Sequence, residues 1–244
     1  MTVANIQKMC IMPEPHLQYA STVPAVNEQK ARAAMNPKDI VRAGYDKISY
    51  AYRGDALDQN DPGFAQYAQW IAELTALAPA AAAVLDLGCG NGIPVARLLL
   101  DAGFAVTGVD ISPVQIVRAQ AALPAARFVC ADATELAFAP GAFAAIVSFY
   151  AIIHIPVAEQ PALLTKIYQW LQPGGYFMAT VGSDAWTGAE ADWLDVAGGL
   201  MYWSHADAAT YRQWCEDQGF RVCWARFVPE GEGGHTLILA QKPA

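Results

Sequence analysis

Short apolar runs that end in aspartate or glycine alternate with helical segments along most of this 244-residue chain, and this alternation constrains its fold more than any other feature. The first run, 83–87, leads directly into glycines at alternate positions. Further runs follow at 104–109, 127–130, 143–149 and 176–181, most of them separated by segments with helical spacing. Buried strands of a parallel sheet have this continuous apolar character, so the pattern predicts a doubly wound α/β fold.

Two final apolar segments, 220–228 and 235–241, flank a glycine-rich turn at 229–234 and predict an antiparallel hairpin. Together with the earlier runs they predict a mostly parallel, seven-stranded, doubly wound sheet with a C-terminal antiparallel hairpin. Ligands of such sheets bind outside the carboxyl ends of the strands, where the strand order reverses. The residues that directly follow each strand are therefore the candidates for a functional site.

The chain divides into a short extension and one main domain. Prolines interrupt residues 1–36 and no apolar period emerges there, so we expect a poorly ordered or loosely packed N-terminal extension. Residues 37–244 form the predicted main domain, which opens with amphipathic helical segments at about 38–54 and 64–77. Between the fifth strand and the next helix, 182–206 reads as an irregular, aromatic-rich insert.

The charge balance argues against large anionic partners. Lys and Arg number 15 against 23 Asp and Glu, which gives a formal net charge of -8. Such a field repels nucleic-acid backbones and anionic lipid surfaces, and no run of basic residues provides a local exception. We expect no nucleic-acid or membrane partner.

The five cysteines form no CxxC pair and have no companion histidine at zinc-ligand spacing. No apolar stretch approaches the roughly 20 residues of a membrane span, and prolines occupy the place where a signal peptide has its apolar core. These observations predict a cytoplasmic protein with reduced thiols, no bound metal, and a monomeric or homodimeric state.

The loop after the first strand is the strongest local signal. Asp86 stands at its entrance, and Gly88, Gly90 and Gly92 allow a tight turn that approaches a ligand closely. A dinucleotide fingerprint needs a further glycine where Ile93 stands, and the chain has no GK[ST] phosphate loop. The loop therefore favours a ligand without a pyrophosphate and with a cationic end.

This loop resembles the first motif, D/E-x-G-x-G-x-G, of the class I S-adenosylmethionine-dependent methyltransferases. Further motifs of that family follow in order. The segment 45–52 is similar to its Y-D-x-I-A-x-x-Y helix, 131–133 to its third-strand motif, and 171–175 to its L-x-P-G-G turn. The resemblance covers about 39–242 and implies a Rossmann-like fold. One departure is Ala144, where the family often has aspartate.

The resemblance also implies how the cofactor is held. Asp110 would accept hydrogen bonds from both ribose hydroxyls, Ile111 would pack on the adenine, and Asp132 would accept from the adenine amino group. The predicted cofactor-binding residues are Tyr45, Tyr52, Asp86, Gly88, Gly90, Asp110, Ile111, Asp132, Ala133 and Ser148.

The methyl acceptor is less constrained. The fourth strand lacks the [ND]-P-P-[YF] motif of enzymes that methylate amino groups of DNA and protein, so the chain resembles the small-molecule branch of the family. The aromatic insert stands where that branch builds its acceptor pocket, although each aromatic residue taken singly is also consistent with ordinary core. The predicted acceptor contacts are Tyr150, Trp193, Met201, Trp203 and His235.

Two histidines are candidate catalytic residues. His154 follows strand four and His205 ends the aromatic insert, so either could act as a general base or contact the acceptor. A structural hydrogen bond is the alternative for both.

The sequence thus predicts transfer of a methyl group from S-adenosylmethionine to O, N or C of a small, hydrophobic or aromatic molecule, with S-adenosylhomocysteine as product. The alternative is a non-catalytic S-adenosylmethionine-binding sensor or accessory protein.

Overall fold

The structure, a computed structural model, describes residues 35–55 and 62–244. The N-terminal extension predicted for 1–36 therefore lies outside the described residues except for its last two positions.

The helices are α1 (Pro37–Tyr52), α2 (Pro62–Thr75), α3 (Val95–Asp101), α4 (Pro113–Ala122), α5 (Gln160–Trp170) and α6 (Ala208–Asp217). The strands are β1 (Ala83–Leu87), β2 (Ala105–Asp110), β3 (Arg127–Cys130), β4 (Phe143–Ser148), β5 (Leu171–Gly182), β6 (Trp186–Glu190), β7 (Met201–His205), β8 (Arg221–Glu230) and β9 (Gly233–Gln241). Single 3₁₀ turns cover Ile152–His154, Val157–Glu159 and Trp193–Asp195.

The main sheet has seven strands in the order β3-β2-β1-β4-β5-β9-β8. The strands β1 to β5 pair in parallel, whereas β9 pairs antiparallel with both β5 and β8. The predicted doubly wound sheet with its C-terminal antiparallel hairpin is confirmed. Because β2 and β4 leave β1 on opposite sides, the strand order reverses between β1 and β4, where a ligand crevice is expected.

Both faces of the sheet are buried, as the continuous apolar runs require. Along β1, Val84 packs into one apolar layer and Leu85 and Leu87 into the other, because successive side chains of a strand point to opposite faces. The layer with Val84 also holds Leu99 of α3, and the opposite layer holds Ile167 of α5. The sheet is thus sandwiched between helices, which fixes the carboxyl ends of its central strands as one edge.

Helix starts follow the local sequence. Asn36 caps α1 by accepting a hydrogen bond from the Lys38 amide at 3.0 Å, and a proline follows at the first helical position. Ser112 and Asp207 cap α4 and α6 in the same way, accepting from backbone amides at 3.1 and 2.7 Å.

The insert at 182–206 is not irregular, and that prediction is wrong. Its strands β6 and β7 form an antiparallel pair. Trp186 lies opposite His205 at one end of the pair, and Glu190 lies opposite Met201 at the other. Gly188 hides the strand pattern in β6, and a Cβ there would lie 2.6 Å from the Trp186 ring of the same strand. The fifth strand also starts at Leu171, earlier than the predicted Tyr176.

Within the two described ranges, the helices are all too short or too polar to cross a lipid bilayer.

Candidate active site

A cavity of about 750 Å³, including its open mouth, lies at the carboxyl ends of β1, β2, β3 and β4. The helix α1 covers it from the opposite side and contributes Lys38, Val41, Tyr45 and Tyr52 to its wall. The wall brings together these residues that the sequence singled out: Tyr45, Tyr52, Gly88, Gly90, Asp110, Ile111, Asp132, Ala133, Ser148, Tyr150 and His154.

The glycine loop forms an open cradle on this cavity. Gly88, Gly90 and Gly92 have φ values of 77°, 54° and 81°, in the left-handed region that favours glycine. A Cβ atom on Gly88 would lie 2.0 Å from the Cβ of Ala151, whereas a Cβ on Gly90 would meet no atom within 4 Å. The space above Gly90 is therefore available to a ligand that approaches the backbone.

Asp110 is built into the same loop. Its Oδ2 accepts a hydrogen bond from the Gly90 amide and its Oδ1 one from the Ser112 amide, both at 2.9 Å. Burial raises the pKa of the Asp110 carboxyl to about 6, and those two amide hydrogen bonds partly offset the effect. Each carboxylate oxygen has a further lone pair, so the group fits a ligand with neighbouring hydroxyls.

Asp86 lies beneath the cradle and lines a smaller adjoining cavity together with Gly88 and Gly90. Its side chain is buried, and its Oδ2 atom has no hydrogen-bond partner within the described parts of the chain. Burial, and then the neighbouring charge of Asp110, raises its pKa to about 8. A buried carboxyl without a partner is costly unless a cation or donor satisfies it, so this site fits a positively charged ligand.

Arg53, which is not among the site residues predicted from the sequence, lines the same smaller cavity. Its guanidinium lies 5.2 Å from the ring centres of both Tyr52 and Tyr67 and donates to the Tyr67 hydroxyl at 3.0 Å. The available signal was its position directly after the tyrosine-containing helix motif. Asp86 and Arg53 thus give this cavity one acidic and one basic group, which suits a zwitterionic amino-acid end.

Lys38 joins α1 to the far end of the cavity. Its Nζ atom lies 2.7 Å from Oδ2 of Asp132, 2.8 Å from Oε2 of Glu159 and 3.0 Å from the Thr134 hydroxyl. Burial acts to raise the pKa of the Asp132 carboxyl, but hydrogen bonds from Lys38 and Thr134 outweigh it and hold that pKa below its usual value. The predicted adenine partner is therefore an ionised carboxylate already held by the helix.

His154 is held from both sides of its ring. Nδ1 lies 2.6 Å from the Tyr202 carbonyl oxygen, and because that oxygen can only accept, Nδ1 carries the proton. Nε2 then accepts from the Tyr45 hydroxyl at 2.9 Å. Burial, with smaller contributions from the nearby His235 and His205, lowers the pKa of His154 to about 4, although the hydrogen bond to the Tyr202 carbonyl acts to raise it. His154 is neutral at physiological pH and orients Tyr45.

The aromatic residues of the insert lie behind this layer. The Trp193 ring centre is 6.1 Å from that of Tyr45, 5.9 Å from that of Tyr52 and 5.2 Å from that of Trp203. Trp193, Trp203 and Met201 are all buried in the apolar layer, and the wall of the main cavity does not include them. Their role as acceptor contacts stays a prediction.

His205 and His235 lie close together beyond Tyr150. Their ring centres are 6.2 Å apart, and His205 Nδ1 lies 2.7 Å from the Asp184 carbonyl oxygen. Burial lowers the pKa of His205. His235 Nδ1 lies 3.2 Å from Oε2 of Glu230, a buried carboxylate that the sequence analysis treated only as part of a turn.

Among the residues that the structure describes, His, Cys, Asp and Glu side chains do not gather in groups of three or more that could hold a metal ion.

The strand reversal, the glycine cradle and the carboxyl groups of Asp86 and Asp110 beside it define a Rossmann-like domain of the class I methyltransferase type. The chain belongs to the family described as "Methyltransferase domain", whose model matches residues 60–223.

Curated relatives agree with this family. A segment of 100 residues is 38% identical to a 2-methyl-6-phytyl-1,4-hydroquinone methyltransferase of Synechocystis sp. and covers 40% of this chain and 31% of that protein. Another of 107 residues is 37% identical to a trans-aconitate 2-methyltransferase of Delftia acidovorans and covers 43% of this chain and 40% of that protein. The chain spans less than half the length of these curated relatives.

Solved structures share the fold at low identity. A magnesium protoporphyrin IX methyltransferase from Synechocystis with bound S-adenosylmethionine has a TM-score of 0.66 and 19% identity, covering 86% of this chain and 99% of that one. A [4+2]-cyclase has a TM-score of 0.68 and 18% identity, covering 86% and 98%. The cofactor is S-adenosylmethionine, and the cradle at Gly90, the carboxylate of Asp110 and the unsatisfied Asp86 fit it.

Proposed function

We propose that this chain transfers the methyl group of S-adenosylmethionine to O, N or C of a small hydrophobic or aromatic molecule. The observation that carries the proposal is the buried Asp86 and the half-buried Asp110 at an open glycine cradle, next to a cavity with largely apolar and aromatic walls. When bound, the cofactor supplies an electrophilic methyl group on a positively charged sulfur.

The chain's residues divide the work of holding the cofactor. Asp110 accepts from the ribose hydroxyls, Ile111 and Ala133 flank the adenine, and the loop at Gly88 supports the amino-acid portion. Asp86 and Arg53 face opposite charges of the amino-acid end. This assignment is supported by the donor and acceptor chemistry of the two adjoining cavities.

The rest of the main cavity is left for the acceptor. Tyr45, Phe149 and Tyr150 give it aromatic surface, and Val41 and Ile155 add apolar surface. Such walls favour a flat or apolar molecule, and the hydroquinone substrate in the name of one relative belongs to that class. Methyl transfer depends mainly on aligning the reacting atoms, which these rigid, packed side chains can do.

A second candidate is a protein that binds S-adenosylmethionine without transferring its methyl group. It is favoured by one comparison: the [4+2]-cyclase has this same fold, so the fold alone does not decide between the two functions.

The two candidates differ in whether S-adenosylhomocysteine forms. Purified protein is incubated with methyl-labelled S-adenosylmethionine and a small-molecule extract of cells, and both S-adenosylhomocysteine and labelled product are quantified. We expect extract-dependent formation of both, and loss of both in Asp110→Ala. Binding of the cofactor without any product would overturn methyl transfer and support the second candidate.

A further inference from the structure

A buried polar cluster of Tyr150, Glu230 and His235 adjoins the main cavity, and the cofactor contacts proposed above do not use it. The Tyr150 hydroxyl donates a hydrogen bond to Oε1 of Glu230, and His235 Nδ1 lies 3.2 Å from Oε2 of the same carboxylate. Glu230 and His235 are 7% and 6% exposed, so the carboxylate is shielded from bulk water. The ring centre of His205 lies 6.2 Å from that of His235.

Glu230 occupies an inward-facing position of its strand. In β8, Val228 and Glu230 are buried while Pro229 between them is exposed, as the alternation of a strand requires. Val228 pairs with His235 across the hairpin, so both strands direct a polar group to the same interior region. Glutamate is rarely buried unless it is paired or functional, and an apolar residue would satisfy the fold here.

Tyr150 connects this carboxylate to the cavity. Tyr150 lines the cavity, and its ring packs 6.2 and 6.4 Å from the ring centres of Tyr67 and Trp70. Its backbone has a φ of 58°, in the left-handed region that a tyrosine rarely adopts, and its amide donates to the Thr180 hydroxyl. Such conformations are often found at functional sites, and this one directly follows the strand end where methyl transfer takes place.

We propose that Tyr150 and Glu230 form a proton relay that activates a hydroxyl-bearing acceptor; this inference rests on the proposed function. The acceptor O–H bond breaks, and its proton passes to the Tyr150 phenolic oxygen while the Tyr150 proton passes to Oε1 of Glu230. The electron pair left on the acceptor forms the new bond to the methyl carbon of S-adenosylmethionine. The methyl–sulfur bond breaks and its electrons stay on sulfur, which becomes uncharged. S-adenosylhomocysteine then leaves.

The relay selects a class of acceptor. It benefits only a group that must lose a proton to react, and a phenolic hydroxyl, which ionises near pH 10 in the way of tyrosine, is such a group. An aromatic ring also fits the walls formed by Tyr45 and Phe149. The acceptor class inferred here is therefore a phenol or hydroquinone. His235 holds the Glu230 carboxylate in position through Oε2.

The test uses acceptors of different acidity. Phenol and 1,4-hydroquinone are un-ionised at neutral pH, whereas 2,4-dinitrophenol and pentafluorophenol are largely ionised there. Label transfer from S-adenosylmethionine to each compound is measured for the wild type, Glu230→Gln and Tyr150→Phe. The matched control is Glu232→Gln, an exposed glutamate in the turn of the same hairpin. Affinity for S-adenosylhomocysteine and melting temperature are recorded for every variant.

We expect Glu230→Gln and Tyr150→Phe to reduce kcat/KM by about 100-fold or more for the un-ionised phenols, the usual contribution of general base catalysis. For the ionised phenols both variants stay within about threefold of the wild type, because no proton remains to be removed. Glu232→Gln matches the wild type throughout, and all variants keep the cofactor affinity.

If kcat/KM of the variants falls equally for both groups of phenols, or falls in step with cofactor affinity, Glu230 has a purely structural role and the relay is wrong. No loss in either variant overturns it as well. If the wild type forms product with cell extract but not with any phenol, the acceptor class and the relay are wrong while the proposed methyl transfer stands. If it forms no product with either, the proposed function fails, and the relay with it.

Discussion

The Tyr45 hydroxyl donates a hydrogen bond to Nε2 of His154 over 2.9 Å, while Nδ1 of the same ring donates to the Tyr202 carbonyl over 2.6 Å. The first of these bonds ties the helix that covers the cavity to the turn after β4. The second ties that turn to the aromatic hairpin. His154 therefore joins three separate segments, and Tyr45 is the group that it presents to the cavity.

The first prediction is that His154 does not act as a general base. With its pKa lowered to about 4 by burial, it stays neutral over the range in which methyl transfer would be measured. We expect His154→Gln and Tyr45→Phe each to reduce kcat/KM by about tenfold. The double variant should be no worse than either single variant, because both substitutions remove the same hydrogen bond. The pH profiles of kcat/KM test this. If the pH profile of kcat/KM has an inflection near neutral pH that disappears only in His154→Gln, His154 is a general base and the prediction is wrong.

Asp86 makes the cofactor-free protein sensitive to pH. Its pKa rises from 3.8 in a free chain to about 8 when folded, so between these values the folded protein binds a proton that the unfolded chain has released. The free energy of unfolding of the cofactor-free protein is therefore highest at low pH and falls as the pH rises from about 4 to about 8. Asp86→Asn, measured by thermal unfolding from about pH 5 to 8, should remove this loss of stability.

The same group couples cofactor binding to proton release. A cationic ligand stabilises the ionised form of Asp86, so S-adenosylmethionine should displace its proton near pH 7. Calorimetric titrations in two buffers with different ionisation enthalpies measure how many protons are released when the cofactor binds. We expect release in the wild type and none in Asp86→Asn; identical apparent enthalpies in both buffers for the wild type would contradict the pairing.

Lys38 is expected to hold α1 closed over the adenine end of the cavity. Replacing it in Lys38→Met removes contacts with Asp132, Glu159 and Thr134 while keeping most of the apolar stem. We expect a severalfold weaker affinity for S-adenosylhomocysteine and faster hydrogen exchange confined to α1. The control is Arg42→Gln on the same helix, whose exposed pair with Asp39 should contribute little. Unchanged exchange in Lys38→Met would exclude the closing role.

Trp203 is expected to act chiefly through packing. It is 7% exposed, and its ring centre lies 5.2 Å from that of Trp193 and 5.5 Å from that of His154. Trp203→Ala should lower the free energy of unfolding by about 3–5 kcal/mol, measured by chemical denaturation. Trp224→Ala, on the edge strand β8, should cost much less. Full stability of Trp203→Ala together with lost methyl transfer would instead favour an acceptor contact.

Local patterns were sufficient to predict the sheet and much of the wall of the main cavity. Parallel strands buried on both faces produce continuous apolar runs, and their carboxyl ends converge on one edge whatever the rest of the chain does. The residues that follow them, such as Gly90, Asp110 and Ala133, could therefore be placed together from the sequence and do meet in one cavity.

Contacts between distant segments could not be predicted in this way. Glu230 meets Tyr150 across 80 positions, and neither position alone indicates the other. The strand β6 was missed because Gly188 interrupts its pattern to accommodate the Trp186 ring. His154 had the right location for a base, but its burial and its partners on both nitrogens, which no local pattern shows, make it a poor one.

The central claim is that the carboxylate of Asp110 holds S-adenosylmethionine at the glycine cradle. Its most direct test is a calorimetric titration of the cofactor into the wild type, Asp110→Ala and Asp101→Asn, the last an exposed aspartate paired with Arg97 on α3. We predict one cofactor per chain in the wild type, the same affinity in Asp101→Asn, and at least about tenfold weaker binding in Asp110→Ala, since a charged acceptor is lost. Equal affinity in Asp110→Ala and the wild type, or no binding to the wild type, would contradict the account.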